Sequence, residues 1–143
     1  MEAIELREFP QMTPKNSAAL RVLVVDDEPL IRWSLSQTLT ERGHWVVETA
    51  DARSTRAAIG DDFDVVLLDF RLPDSDNLSL LASIRIRAPR TPVILMTAYG
   101  GPDVVRGALE LGAYRVINKP FDMTTVADLV AEAHAGGAGG GTH

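Results

Sequence analysis

Three acids, a hydroxyl and an amine stand at the ends of four apolar runs. Leu20-Arg21-Val22-Leu23-Val24-Val25 finishes in Asp26-Asp27-Glu28, Val65-Val66-Leu67-Leu68 in Asp69, Val93-Ile94-Leu95-Met96 in Thr97, and Val116-Ile117-Asn118 in Lys119-Pro120. Carboxylates gathered in one crevice repel one another, so either their pKa values rise or a cation settles among them. An all-oxygen site with few protein ligands and room for water suits Mg²⁺, with Mn²⁺ able to substitute, and such an ion is often shared with a phosphate. Asp69 could attack a phosphoryl group and form an aspartyl phosphate. The cation, the Lys119 ammonium and the Thr97 hydroxyl would then meet the three phosphoryl oxygens. Taken singly, each residue has a plainer explanation: an aspartate after a strand is commonly a cap or turn residue, a threonine can simply end a strand, and a lysine before proline can be an exposed lysine. Their coincidence points to chemistry.

Short Val- and Ile-rich runs separated by helix-length segments read as buried strands of a parallel sheet, whose carboxyl ends form a ligand crevice. The first helix is expected to start at Pro29, a favourable first helical residue, with Leu30, Trp33, Leu35 and Leu39 on or near its buried side and Gly43 as its stop. Residues 44–49 alternate as a second strand, and Asp51 is placed to cap a short helix holding Ala57, Ala58 and Ile59. Asp64 introduces the central strand that ends at Asp69. A third helix over 78–87 carries Leu78, Leu81, Ala82 and Ile84, and Pro89 and Pro92 close it. The fourth follows Pro102-Asp103 as far as Gly112, the fifth strand covers 114–117 and the last helix 122–134. Five strands alternating with five helices predict an α/β fold with helices on both faces of the sheet. Sequence order alone does not fix the spatial order. A flavodoxin-type order of 2-1-3-4-5 would set the first and third strands side by side and bring Asp26 and Asp27 against Asp69.

Outside this pattern, residues 1–19 mix acids, prolines and polar residues without a period and read as a flexible arm, while 135–143, nearly all glycine, read as a tail or linker. The folded domain is expected over 20–134. A chain of 143 residues, 45% hydrophobic and 24% charged, has the composition of one globular domain. Without cysteine it has no disulfide, thiolate metal site or cysteine nucleophile. Its apolar runs are too short to span a membrane and its amino terminus lacks the regions of a signal peptide, so we read it as cytoplasmic. A net charge of −6 with only two lysines argues against direct nucleic-acid binding. Arg85, Arg87 and Arg90 read as solvated surface, the scattered His44, His134 and His143 as surface residues, and Trp33 and Trp45 as core or half-buried residues.

The segment 20–134 resembles the receiver domain of two-component response regulators. The resemblance rests on VLVVDDE, VVLLDFRLPD, VILMTAYG and INKPF, in family order and spacing, and MTAYG is most similar to receivers of enhancer-binding transcriptional activators. It implies a flavodoxin-like, doubly wound, five-stranded parallel sheet of order 2-1-3-4-5 with five helices. It further implies that Asp69 takes phosphate from a sensor histidine kinase or histidine phosphotransfer protein, and that Asp26, Asp27, Asp69 and the Arg71 backbone carbonyl hold Mg²⁺. Thr97 would be the switch hydroxyl, Lys119 the phosphate-binding lysine and Lys119-Pro120 a cis peptide, with Ala98 leaving the phosphate accessible. Such a domain is a signalling module with self-catalysed phosphotransfer and autodephosphorylation rather than an enzyme in the ordinary sense. Its switched surface, expected at the fourth helix, fifth strand and fifth helix, would meet an output domain, a protein partner or a second copy.

Two residues depart from the family pattern. Val116 stands where a switching Tyr or Phe is usual, so Tyr99 is expected to share the reporting role, with Tyr114 on the same side of an ideal strand as Val116. Asn77 replaces a common glycine and tolerates the same left-handed backbone. Arg71 and Tyr99 occupy positions that tune phosphoryl lifetime, and bulky side chains there predict a long-lived phosphoprotein. Other function classes fit less well. A Mg²⁺-dependent aspartyl-phosphate phosphohydrolase would need a second acid close to the nucleophile, which Asp69-Phe70-Arg71 lacks, and an acidic pocket opposes an anionic flavin. A receiver fold that serves only as an unphosphorylated interaction module would not need the full set of acids, Thr97 and Lys119.

Overall fold

Alternate residues of each strand feed two separate cores. In the computed structural model, which describes residues 19–60, 62–75, 78–98 and 100–138, the elements run β1 (Arg21–Val25), α1 (Pro29–Glu41), β2 (Trp45–Thr49), α2 (Ala52–Ala58), β3 (Val65–Asp69), α3 (Ser79–Arg87), β4 (Val93–Thr97), α4 (Pro102–Glu110), β5 (Arg115–Asn118) and α5 (Met123–Ala138). The strands form one parallel sheet in the order β2-β1-β3-β4-β5, the doubly wound order expected. Val22, Val24, Leu67, Ile94 and Met96 pack under α1 and α5, while Leu23, Val25, Leu68 and Leu95 pack under α2, α3 and α4. β3 and β4 are buried throughout because both faces are covered. Each such side chain contributes about 1.5–3 kcal/mol by leaving water. Among the described residues, no helix is long and apolar enough to cross a membrane.

Several local expectations need correction. Leu30 and Trp33 are 73% and 58% exposed, whereas Leu35 and Leu39 are buried. At about 100° per residue the inward stripe of α1 is Ile31, Leu35 and Leu39, which places Trp33 on the opposite side. Trp45 is also exposed, at 65%, because β2 is an edge strand with a neighbour on one side only. Arg85 is not simply solvated: its guanidinium donates to the carbonyls of Thr91 at 2.8 Å and Pro89 at 2.9 Å and ties down the α3–β4 turn. His44 is half-buried and accepts the Leu20 N–H, and burial lowers its pKa.

Helix ends largely follow the expected signals. Pro29 opens α1, and Gly43 follows it with a φ of 92° that favours glycine. Asp51 accepts the Ser54 N–H at 2.8 Å and caps α2, which ends before Ile59. Asp74 adds a second carboxylate at the same helix start, accepting from Ala52 and Arg53 N–H. The loop after β3 is thereby tied to α2. β5 begins one residue later than expected, and α5 continues to Ala138, four residues into the segment read as tail. Residues 1–18 and 139–143 lie outside the described residues, as does His143.

Candidate functional site

The strand order reverses between β1 and β3, and the loops leaving β1, β3, β4 and β5 meet at that end of the sheet. Val25 pairs with Leu68, Asp69 with Met96, and Thr97 with Asn118, so four strands deliver their last residues at nearly one level. The Asp26 N–H donates to the Thr49 carbonyl, Phe70 N–H to Met96 and Lys119 N–H to Thr97, continuing the ladder into the loops. Asp26, Asp69 and Thr97 are buried at the crevice floor, and Asp27 is exposed at its rim.

Carboxylate oxygens of Asp26, Asp27 and Asp69 lie within 4.8 Å of one another. Lys119 Nζ is 3.0 Å from Asp26 Oδ2, 3.1 Å from Glu28 Oε1 and 3.4 Å from Asp69 Oδ1. Asp26 Oδ1 accepts the Glu28 N–H at 2.9 Å, and Asp69 Oδ1 accepts the Arg71 N–H at 3.3 Å. Burial first, and then the charge of Asp26, push the Asp69 pKa up to about 7 against the opposing pull of Lys119. Burial by itself would lower the pKa of Lys119, but its hydrogen bond to Asp26 and the charges of Asp69 and Asp26 outweigh that, and the net shift is upward. One ammonium cannot neutralise these carboxylates. The all-oxygen donor set and its residual negative charge fit a hard divalent cation.

The response regulator receiver domain family matches residues 22–131. The chain belongs to that family. This receiver is 41% identical over 117 residues to the response regulator protein PilR of Pseudomonas aeruginosa, covering 79% of this chain and 26% of PilR. It is 38% identical over 113 residues to the DNA-binding transcriptional regulator NtrC of Proteus hauseri, covering 78% of this chain and 24% of that protein. The chain thus spans about a quarter of the length of these relatives. Among solved structures, a CheY-like receiver domain from Methanospirillum hungatei superposes with a TM-score of 0.81 at 28% identity, over 87% of this chain and all of that one. NtrX from Brucella abortus superposes with a TM-score of 0.78 at 33% identity, over 85% of this chain and 28% of that one.

In this receiver the five residues singled out by chemistry, Asp26, Asp27, Asp69, Thr97 and Lys119, meet in one crevice. Arg71 follows Asp69 in the same loop, Ala98 follows Thr97 at the exposed rim, and Lys119-Pro120 is cis. The switch candidates divide. Val116 is half-buried against the cluster under α3 and α4. Tyr114 does not share that side: it precedes β5, packs against the α1 and α5 cluster and donates its hydroxyl to Glu132 at 2.7 Å. Strand alternation does not hold for Tyr114 because the strand has not yet begun. Tyr99 and Asn77 lie outside the described residues.

Other residues at the site escaped the sequence reading. Glu28 was grouped with the acids, but nothing announced that it would bind Lys119. Arg32 donates through Nη1 to the Asp26 carbonyl at 2.7 Å and through Nε to Glu48 at 3.1 Å. Asn118 lies beside Gly100, where an added Cβ would stand 2.6 Å from Asn118 Oδ1 and 2.9 Å from the Thr97 methyl. The spacing of Arg32, one turn into the helix after the acid pair, was a usable signal. Glu48 and Asn118 carried none, because their partners are distant in sequence.

Proposed function

We propose that this receiver is a phosphorylation-controlled switch whose acceptor is Asp69. An Asp69 carboxylate oxygen attacks the phosphorus of a phosphohistidine on a sensor kinase or histidine phosphotransfer protein. The O–P bond forms as the P–N bond breaks, and the imidazole leaves with the electron pair and takes a proton from solvent. Lys119 holds a phosphoryl oxygen by charge, Thr97 offers a hydroxyl to another, and Asp26, Asp27, Asp69 and the Arg71 carbonyl hold Mg²⁺ or Mn²⁺. The ion, when bound, supplies charge neutralisation to the transferring group. The observation that carries this reading is the meeting of Asp26, Asp27 and Asp69 within 4.8 Å, with Lys119 3.4 Å from Asp69.

The domain acts through a surface rather than by turnover, so it is a signalling module and not an enzyme in the ordinary sense. Phosphate at Asp69 biases the face formed by α4, β5 and α5 towards an output domain, a protein partner or a second copy. Exposed Leu109 and Leu111 at the end of α4 support this choice. An acidic chain of net charge −6 favours an effect through protein partners over direct nucleic-acid binding, in the cytoplasm. Intact-protein mass after incubation with acetyl phosphate, with and without Mg²⁺, tests the proposal against Asp69→Ala. We expect a Mg²⁺-dependent gain of one phosphoryl group that the variant loses. No gain, with beryllofluoride also without effect, overturns the acceptor assignment and leaves an interaction module.

A further inference from the structure

Asp26 is held at every polar atom. Its N–H donates to the Thr49 carbonyl at 3.1 Å, and its carbonyl accepts from Arg32 Nη1 at 2.7 Å. Its two carboxylate oxygens accept from the Glu28 N–H and Lys119 Nζ. Arg32 is itself fixed: Nε donates to Glu48 Oε1 at 3.1 Å, and its side chain is only 20% exposed. Glu48 stands in register with Val24, two residues before Asp26, so the edge strand β2 holds the acid loop through both Thr49 and the Glu48–Arg32 pair. A surface ion pair of this kind would ordinarily be worth little. Here the guanidinium also reaches past the pair to the peptide carbonyl of the buried acid.

We propose that Arg32, oriented by Glu48, is a positioning residue for the cation-binding acids: it fixes the Asp26 peptide so that the carboxylate faces the crevice. The inference rests on the reading of that crevice as a cation and phosphoryl site. Its guanidinium spans two acceptors at once, which the single point charge of lysine does not reproduce. Partners behind a metal ligand commonly change affinity by about tenfold or more when removed. A role in positioning and a role through charge predict opposite signs. If Arg32 acted only as a nearby positive charge, removing it would tighten cation binding in an acidic crevice.

The test is calorimetric titration of Mg²⁺ into the full chain without any phosphodonor, for wild type, Arg32→Gln, Arg32→Lys and Glu48→Gln. The rate of phosphoryl gain from acetyl phosphate at saturating Mg²⁺ is measured alongside. We expect the Mg²⁺ Kd to rise about tenfold in Arg32→Gln and about threefold in Arg32→Lys and Glu48→Gln, with the saturated rate within about twofold of wild type. Unchanged or tighter Mg²⁺ binding in Arg32→Gln overturns the proposal. Should that variant fail to fold, unchanged binding in Glu48→Gln overturns it equally. Wild type that binds no Mg²⁺ overturns the cation reading and this inference with it. Wild type that binds Mg²⁺ but takes no phosphoryl group overturns the acceptor role alone, and the rise in Kd still decides for Arg32.

Discussion

Asp69→Asn should stabilise the metal-free chain by an amount that depends on pH. Burial and repulsion from Asp26 raise the Asp69 pKa from 3.8 to about 7. A carboxyl with a raised folded pKa favours the folded state while protonated. Below 3.8 both states hold the proton and nothing is lost. Between 3.8 and about 7 the unfolded chain releases its proton first, so stability falls as pH rises, and above about 7 the loss is complete. At about 1.4 kcal/mol per pH unit, this interval is worth at most about 4 kcal/mol. Exposed Asp27 and Glu28 at the rim admit screening water, and we expect about 2 kcal/mol. Asparagine removes the charge while keeping an acceptor for the Arg71 N–H. Urea unfolding of both chains in chelator at about pH 4.5 and about pH 8 reads the effect. The two should differ little at the lower pH, and the variant should be more stable by about 2 kcal/mol at the higher, roughly 4–8 °C in Tm. A variant no more stable at high pH would show that Lys119 outweighs burial and Asp26, refuting the electrostatic account of the crevice.

Three further outcomes are expected. Arg71→Ala should shorten the life of the phosphorylated form several-fold by opening a path for water, read by intact mass after the phosphodonor is removed. Gly100→Ala should cost about 1 kcal/mol, since the new methyl group meets Asn118 Oδ1 at 2.6 Å and Thr97 Cγ2 at 2.9 Å. Asn118→Ala in the same chain should recover part of that cost in a thermal melt. Asp74→Ala should cost about 1 kcal/mol and speed hydrogen exchange at the start of α2, because two N–H groups lose their acceptor. Unchanged exchange there would mean that the Asp51 cap suffices alone.

Sequence showed most where chemistry and strand ends coincide. The apolar runs located β1, β3 and β4 to within one residue because both faces of β3 and β4 are buried along their whole length and those of β1 from Val22 onward, with exposed Arg21 only at its start. The strand order came from resemblance: nothing in the length of the segments distinguishes 2-1-3-4-5 from other windings. Errors fell where residue type was followed without geometry. Leu30 and Trp33 were placed inward for being apolar, although angular position on α1 turns them to water. Tyr114 was assigned by alternation in a strand that starts one residue later. The supports of the site were illegible for a different reason. Glu48 reaches Arg32 across 16 residues, and Lys119 reaches Glu28 across 91, distances at which no local pattern operates.

The crevice has one wall held by Lys119 and Asp26 and another formed by Thr97 and the turn into α4. On the first side, Lys119 has three N–H donors and three carboxylates, with the contacts to Asp26 and Glu28 shorter than the one to Asp69. In the aspartyl phosphate proposed at Asp69, a phosphoryl oxygen would take over the longest of these contacts, leaving the two to the loop after β1. Asp26 is meanwhile held at both ends of its peptide by Thr49 and Arg32. Lys119 and Asp26 are therefore placed by contacts that do not depend on Asp69. On the other side Thr97 ends β4 ahead of Gly100 and Gly101, and Gly101, which has no side chain to offer a capping bond, is the N-cap of α4. The Thr97 methyl lies close to Gly100, 2.9 Å from where an added Cβ would stand.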